Sequence, residues 1–146
     1  MSATAEETAA VVRRRLERAY GTLEELNHAV QGGYWYDAAN RMYYACYHAV
    51  SALMSHEGLY PRTHSGIAAL LGDRFIRTGR LPRDLGVFYS RALELRQGSD
   101  YSDWREITEA DILPMMPHVR GFIDAIAVLV NQDKVVQATE RSDLTP

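Results

Sequence analysis

Apolar residues return every three or four positions along almost the whole chain, which is the period of helices lying on a core. Val12, Leu16, Ala19, Leu23, Leu26 and Val30 form the first stripe and predict a helix from about Ala5 to Val30, stopped by Gly32-Gly33. Trp35, Ala38, Met42, Ala45, Ala49 and Leu53 predict a second, from about Trp35 to His56, with Gly58 after its end and Pro61 in the link. A third starts at Thr63 or Ser65, either of which suits a helix cap. It buries Ile67, Leu70, Leu71 and Phe75 and closes at Gly79. Pro82 fits the first turn of a fourth helix with Leu85, Phe88, Tyr89, Ala92 and Leu95 inward; Gly98 is expected to end it, and Ser99 to Ile107 reads as loop. Thr108-Glu109-Ala110-Asp111 opens a fifth, with acids where the helix dipole favours them. Pro114 and Pro117 then either kink this helix or mark its true start, after which Val119, Phe122, Ile126 and Val130 run cleanly. The last dozen or so residues are polar and read as a frayed end. No strand pattern survives. The expected fold is all-α, an up-down antiparallel four-helix bundle with a fifth helical element, one domain over residues 1–146 with its core at about 10–130.

Composition narrows the class. The 146 residues suit one domain, and 47% apolar content is enough for a core. Cys46 is the lone cysteine, so neither an internal disulfide nor a cysteine zinc site can be built. The N-terminal segment lacks a basic start followed by an apolar run, so the cytoplasm is the expected address. The longest apolar run, Ile126-Ala127-Val128-Leu129-Val130, is too short to span a bilayer, and no membrane association is expected. Net charge is −3, which argues against sequence-blind coating of nucleic acid. The charge is uneven: seven arginines at 62, 74, 77, 80, 83, 91 and 96 stand against Asp73, Asp84 and Glu94, so the middle of the chain is basic and the remainder acidic. Such a middle meets phosphates or an acidic partner, or is simply a solvated surface of mixed ion pairs.

Candidate chemistry gathers in two places. On the second helix, Asp37, Arg41, Tyr44 and His48 follow steps of four, three and four and therefore share a face beside the apolar stripe. That row is either a hydrogen-bonded network tying helices together or a half-buried polar patch at a cleft or dimer seam. At the end of the fourth helix, Arg96-Gln97-Gly98-Ser99-Asp100-Tyr101 is either a helix stop with a local salt bridge or an arginine displayed to bind phosphate. His64, with Ser65 and Gly66, is either a plain capping turn or a helix start open to an anion. Tyr34-Trp35-Tyr36 and Tyr43-Tyr44-Tyr47 have flat faces that suit bases, though tyrosines on bundle helices also serve as packing. The five histidines, at 28, 48, 56, 64 and 118, include no pair three or four apart on a helix with a carboxylate, so no metal and no cofactor are expected. A glycine-rich phosphate loop, a nucleophile elbow and a thiol–base pair are also missing from the sequence.

Taken in order, the runs from Ala38 to Val50, Thr63 to Ile67, Arg77 to Pro82 and Arg96 to Tyr101 resemble a HEPN domain (higher eukaryotes and prokaryotes nucleotide-binding) across roughly residues 10 to 130. The resemblance implies a helical bundle that dimerises and is often encoded beside a minimal nucleotidyltransferase, as toxin and antitoxin. Many such domains are metal-independent ribonucleases with an arginine, then four to six residues, then a histidine. In this sequence Arg96 with four residues between reaches Tyr101 instead, and tyrosine is a poor base at neutral pH. Arg41 to His48, with six between, is the one pair of that spacing, and it lies on the second helix. The expected function is therefore a weakly or non-catalytic component that binds a nucleotide, RNA or a nucleotidyltransferase partner. Arg96 and His48 are the candidate catalytic residues; Arg41, Tyr44, His64, Asp100 and Tyr101 are the candidate binding residues. The alternatives are a dimeric endoribonuclease toxin and a purely structural interaction module.

Overall fold

The computed structural model describes residues 3–101 and 106–143, with side chains described for 3–98 and 106–132. Among the described residues every regular element is helical. Helix α1 spans Ala5–Gln31, α2 Trp35–His56, α3 His64–Leu70, α4 Arg83–Tyr101, α5 Glu109–Ile112 and α6 Met116–Asp143. Local signals start and stop these helices. Thr4 caps α1, its hydroxyl accepting from the Glu7 N–H while the Glu7 carboxylate accepts from the Thr4 N–H, both at 3.1 Å. The Thr63 hydroxyl caps α3 by accepting from the Gly66 N–H at 2.9 Å. Gly33, Gly58 and Gly79 follow helices at φ of 73°, 72° and 81°, the left-handed region that glycine enters without a Cβ penalty.

Three details differ from the sequence expectation or settle a point it left open. Gly98 does not end α4, which continues to Tyr101: glycine weakens a helix interior but breaks it only when the backbone turns away. The end of α3 widens into a π-helical turn over Leu71–Ile76, where the Arg77 N–H donates to the Gly72 carbonyl at 2.9 Å. Leu71 and Phe75, four apart on this segment, both lie inward. At the two prolines, α5 is a single short turn, Leu113–Met115 forms a 3₁₀ turn containing Pro114, and α6 begins with Pro117 in its first turn, where a missing N–H costs nothing.

Contacts show how the long helices pack. Arg15 near the start of α1 bonds Ser51 and Ser55 near the end of α2, whereas Glu25 late in α1 meets Arg41 early in α2. Tyr20 of α1 meets Asp124 of α6 at 2.5 Å. Tyr43 of α2 meets Tyr89 of α4, and Arg96 further along α4 lies over Tyr44. The long helices α1, α2, α4 and α6 form an up-down bundle, with α3 laid across it. α2 is its central member: Ala38, Ala39, Met42, Tyr43, Ala45, Cys46, Ala49, Val50, Ala52 and Leu53 are all essentially inaccessible. A helix so enclosed needs small residues to let its neighbours approach, and five of those ten are alanine. The span Glu109–Gln132 reaches a mean hydropathy of 1.4 and is long enough to cross a bilayer by length and composition. Its stripe of Val119, Phe122, Ile123, Ile126 and Val130 lies inside the bundle core.

Candidate functional site

On α2, residues 41, 44 and 48 form one row and residues 43 and 47 the next, so one wide face carries Arg41, Tyr43, Tyr44, Tyr47 and His48. The cap at Thr63 starts α3 so that His64 lies against this face. The ring of His64 is 5.4 Å from that of Tyr43, 6.2 Å from Tyr44 and 5.2 Å from Tyr47, centre to centre. Tyr43 and Tyr44 meet edge to face at 5.3 Å, Tyr44 and Tyr47 at 5.6 Å, and Tyr47 and His48 at 5.5 Å. Such pairs each contribute about 0.5–1.5 kcal/mol beyond their buried area, so the five rings brace one another.

Two cations converge on this cluster. The Arg96 guanidinium, carried in from α4, lies 5.3 Å from the centre of the Tyr44 ring and 5.5 Å from that of Tyr43. The Arg41 guanidinium lies 5.6 Å from the same Tyr44 ring. Attraction to the ring quadrupole holds both arginines at Tyr44. Arg41 is further steered by Glu25 of α1, whose carboxylate accepts at 2.9 Å, and by the Asn40 side chain at 2.6 Å. The Glu25–Arg41 pair is substantially exposed and contributes little to stability; its effect is on where the arginine sits.

Beneath the rings the tyrosine hydroxyls are linked. The Tyr43 oxygen is 2.5 Å from His64 Nδ1 and 3.3 Å from the Tyr89 oxygen. Burial pushes the Tyr43 and Tyr89 hydroxyls up from the ordinary tyrosine range, so both stay protonated. Partial burial, and then the nearby Arg96 charge, lower His64 from its ordinary value. His48 is pulled down to about 4, first by partial burial and then by Arg18, Arg41 and Arg15, with Glu25 opposing. At neutral pH the face therefore offers two guanidinium cations and two neutral imidazoles.

The structure brings together Arg41, Tyr44, His48, His64 and Arg96, with Tyr44 as the side chain that the other four all reach. The side chains of Asp100 and Tyr101 lie outside the described residues. Tyr43, Tyr47 and Tyr89 belong to the site although the sequence reading placed Tyr89 only in the core stripe. The signal was available: a tyrosine at an inward position carries a hydroxyl that must find a partner. Arg15 and Arg18, which set the charge around His48, sit on another helix, and no spacing along the chain links them to it. Among the described residues no group of three or more metal-ligating side chains gathers.

The HEPN domain family model matches residues 12–129. A "UPF0332 protein" of Thermotoga maritima is 37% identical over 99 residues, covering 68% of this chain and 75% of that one. Two proteins of Methanocaldococcus jannaschii that bear the name "Putative toxin" are each 29% identical to this chain. The first is matched over 106 residues, 71% of this chain and 72% of its own, and the second over 90 residues, 62% and 66%.

Proposed function

Because the chain belongs to the HEPN domain family, we propose that it is an RNA-binding, weakly or non-catalytic component of a toxin–antitoxin pair, working through the Arg41–Tyr44–Arg96 face. One observation carries this reading: two guanidinium groups from different helices meet over one half-buried tyrosine ring, beside two neutral histidines. Planar guanidinium groups suit phosphate oxygens, and the aromatic cluster beside them suits contact with a base. A strong ribonuclease needs a proton donor and acceptor poised near neutral pH. Both histidines here are shifted the wrong way for a donor, and His48, at about 4, is a weak acceptor. We also propose, from the HEPN resemblance, that two copies pair and that a nucleotidyltransferase is the antitoxin partner, which light scattering and co-purification test.

The direct experiment is fluorescence anisotropy of a labelled single-stranded RNA with the unaltered protein, Arg96→Ala and Tyr44→Ala, all in chelator. Each substitution is expected to weaken binding about tenfold or more, in line with the loss of one charged contact or one stacked base. Equal affinity in all three proteins would refute the assignment. Cleavage in chelator that disappears in Arg96→Ala would replace it with the endoribonuclease reading.

A further inference from the structure

The buried end of this face is more specifically built than binding alone requires. Three groups form a chain running outward from the core: the Tyr89 hydroxyl, the Tyr43 hydroxyl and His64 Nδ1, with gaps of 3.3 Å and 2.5 Å. Tyr43 has one proton to give. If it donates to Nδ1, Tyr89 donates to Tyr43, and every proton in the chain has an acceptor. If instead Nδ1 carries a proton and donates to Tyr43, three protons share two links, and the proton of Tyr43 or of Tyr89 needs a further acceptor in the core. Tyr89 is 1% exposed and stacked on Phe122 at 10° between planes, and among the described residues its hydroxyl bonds Tyr43 alone. An unsatisfied buried donor is costly, so the first direction is preferred. The groups facing His64 agree. From α2 come the rings of Tyr43, Tyr44 and Tyr47, and from α4 comes the Arg96 guanidinium. The Arg96 cation and the partial burial both oppose an imidazolium.

We infer that Tyr89 and Tyr43 are positioning residues that hold His64 as the neutral imidazole with its proton on Nε2, so that this N–H acts with the Arg96 guanidinium on a phosphodiester oxygen of bound RNA. The inference rests on the RNA-binding reading for its ligand and on geometry alone for the tautomer. It gives His64 the role of a fixed neutral donor, which binds phosphate without supplying a proton to a leaving group.

Long-range proton–nitrogen correlation spectra of ¹⁵N-histidine-labelled protein test the tautomer directly, with the His64 signals assigned by their loss in His64→Gln. The unaltered protein should show a protonated Nε2 and a bare Nδ1 at pH 7. Tyr43→Phe should yield a mixture of tautomers and raise the His64 titration midpoint, and should weaken binding of single-stranded RNA several-fold with Arg96 intact. Tyr89→Phe, which leaves the Tyr43–His64 bond in place, should act in the same direction and less strongly; it also serves if Tyr43→Phe does not fold. A protonated Nδ1 in the unaltered protein, or Tyr43→Phe spectra and RNA affinity matching the unaltered protein, would overturn the relay. Protein with the expected spectra that binds no RNA would instead overturn the proposed function and the ligand assigned to His64.

Discussion

His48 should make this protein acid-sensitive in a window set by its own surroundings. The imidazole is half-buried beside Tyr44 and Tyr47, and Arg18, Arg41 and Arg15 all oppose a further positive charge. Its value falls from the ordinary 6.5 to about 4. The unfolded chain takes up the proton as pH drops through about 6.5, while the folded chain refuses it until about 4. The contribution is therefore fully present above pH 6.5, is lost between 6.5 and about 4, and is flat below that. Each unit of displacement is worth about 1.36 kcal/mol, which gives about 3 kcal/mol for the full gap; solvent around the half-exposed ring screens this to roughly 1–2 kcal/mol. The perturbation is His48→Gln, which keeps the shape approximately and removes the titration. Urea unfolding followed by circular dichroism at several pH values between 7.5 and 4 gives the stability of both proteins. The stability of the unaltered protein relative to the variant should fall by roughly 1–2 kcal/mol across the window, other titrating groups cancelling in the difference. Parallel curves at every pH would refute the placement of His48 among the three arginines.

Two further expectations test the packing behind the face. Phe75, in the π-helical turn and 1% exposed, should cost about 3–5 kcal/mol when changed to alanine, measured by the same urea titration; a loss below about 1 kcal/mol would contradict its core position. Cys46 lies at the centre of α2 with its thiol pushed up by complete burial. It should resist a disulfide-exchange reagent in native buffer and react only as urea unfolds the chain, and rapid labelling of the native protein would contradict the enclosure of α2.

The bundle was legible because helices announce themselves locally. Apolar spacing, the Thr63 cap, and glycines after α1, α2 and the π-helical turn are all properties of neighbouring residues, and α2 begins and ends where its pattern does. Gly98 misled for the same reason in reverse. A glycine that stops one helix is tolerated in another, and the choice depends on what packs around it. The stripe on α2 also understated its burial, because Tyr43, Cys46 and Val50 lie off the predicted inner row and are covered only because α1, α4 and α6 surround the helix.

For the candidate site, the chain by itself determined which residue types were available and that Arg41, Tyr44 and His48 share a face, since a helix repeats every 3.6 residues whatever surrounds it. It did not determine that Arg96 would arrive at the same tyrosine as Arg41, that His64 would bond Tyr43, or that Arg15 and Arg18 would stand beside His48. Those neighbours come from four different helices, separated by 21 residues for His64 and Tyr43 and by 46 for Tyr43 and Tyr89. Only the packing of α1, α3 and α4 on α2 brings them within reach. Charge and hydrogen bonding act over a few ångströms of space, so the protonation of both histidines was decided by the tertiary structure.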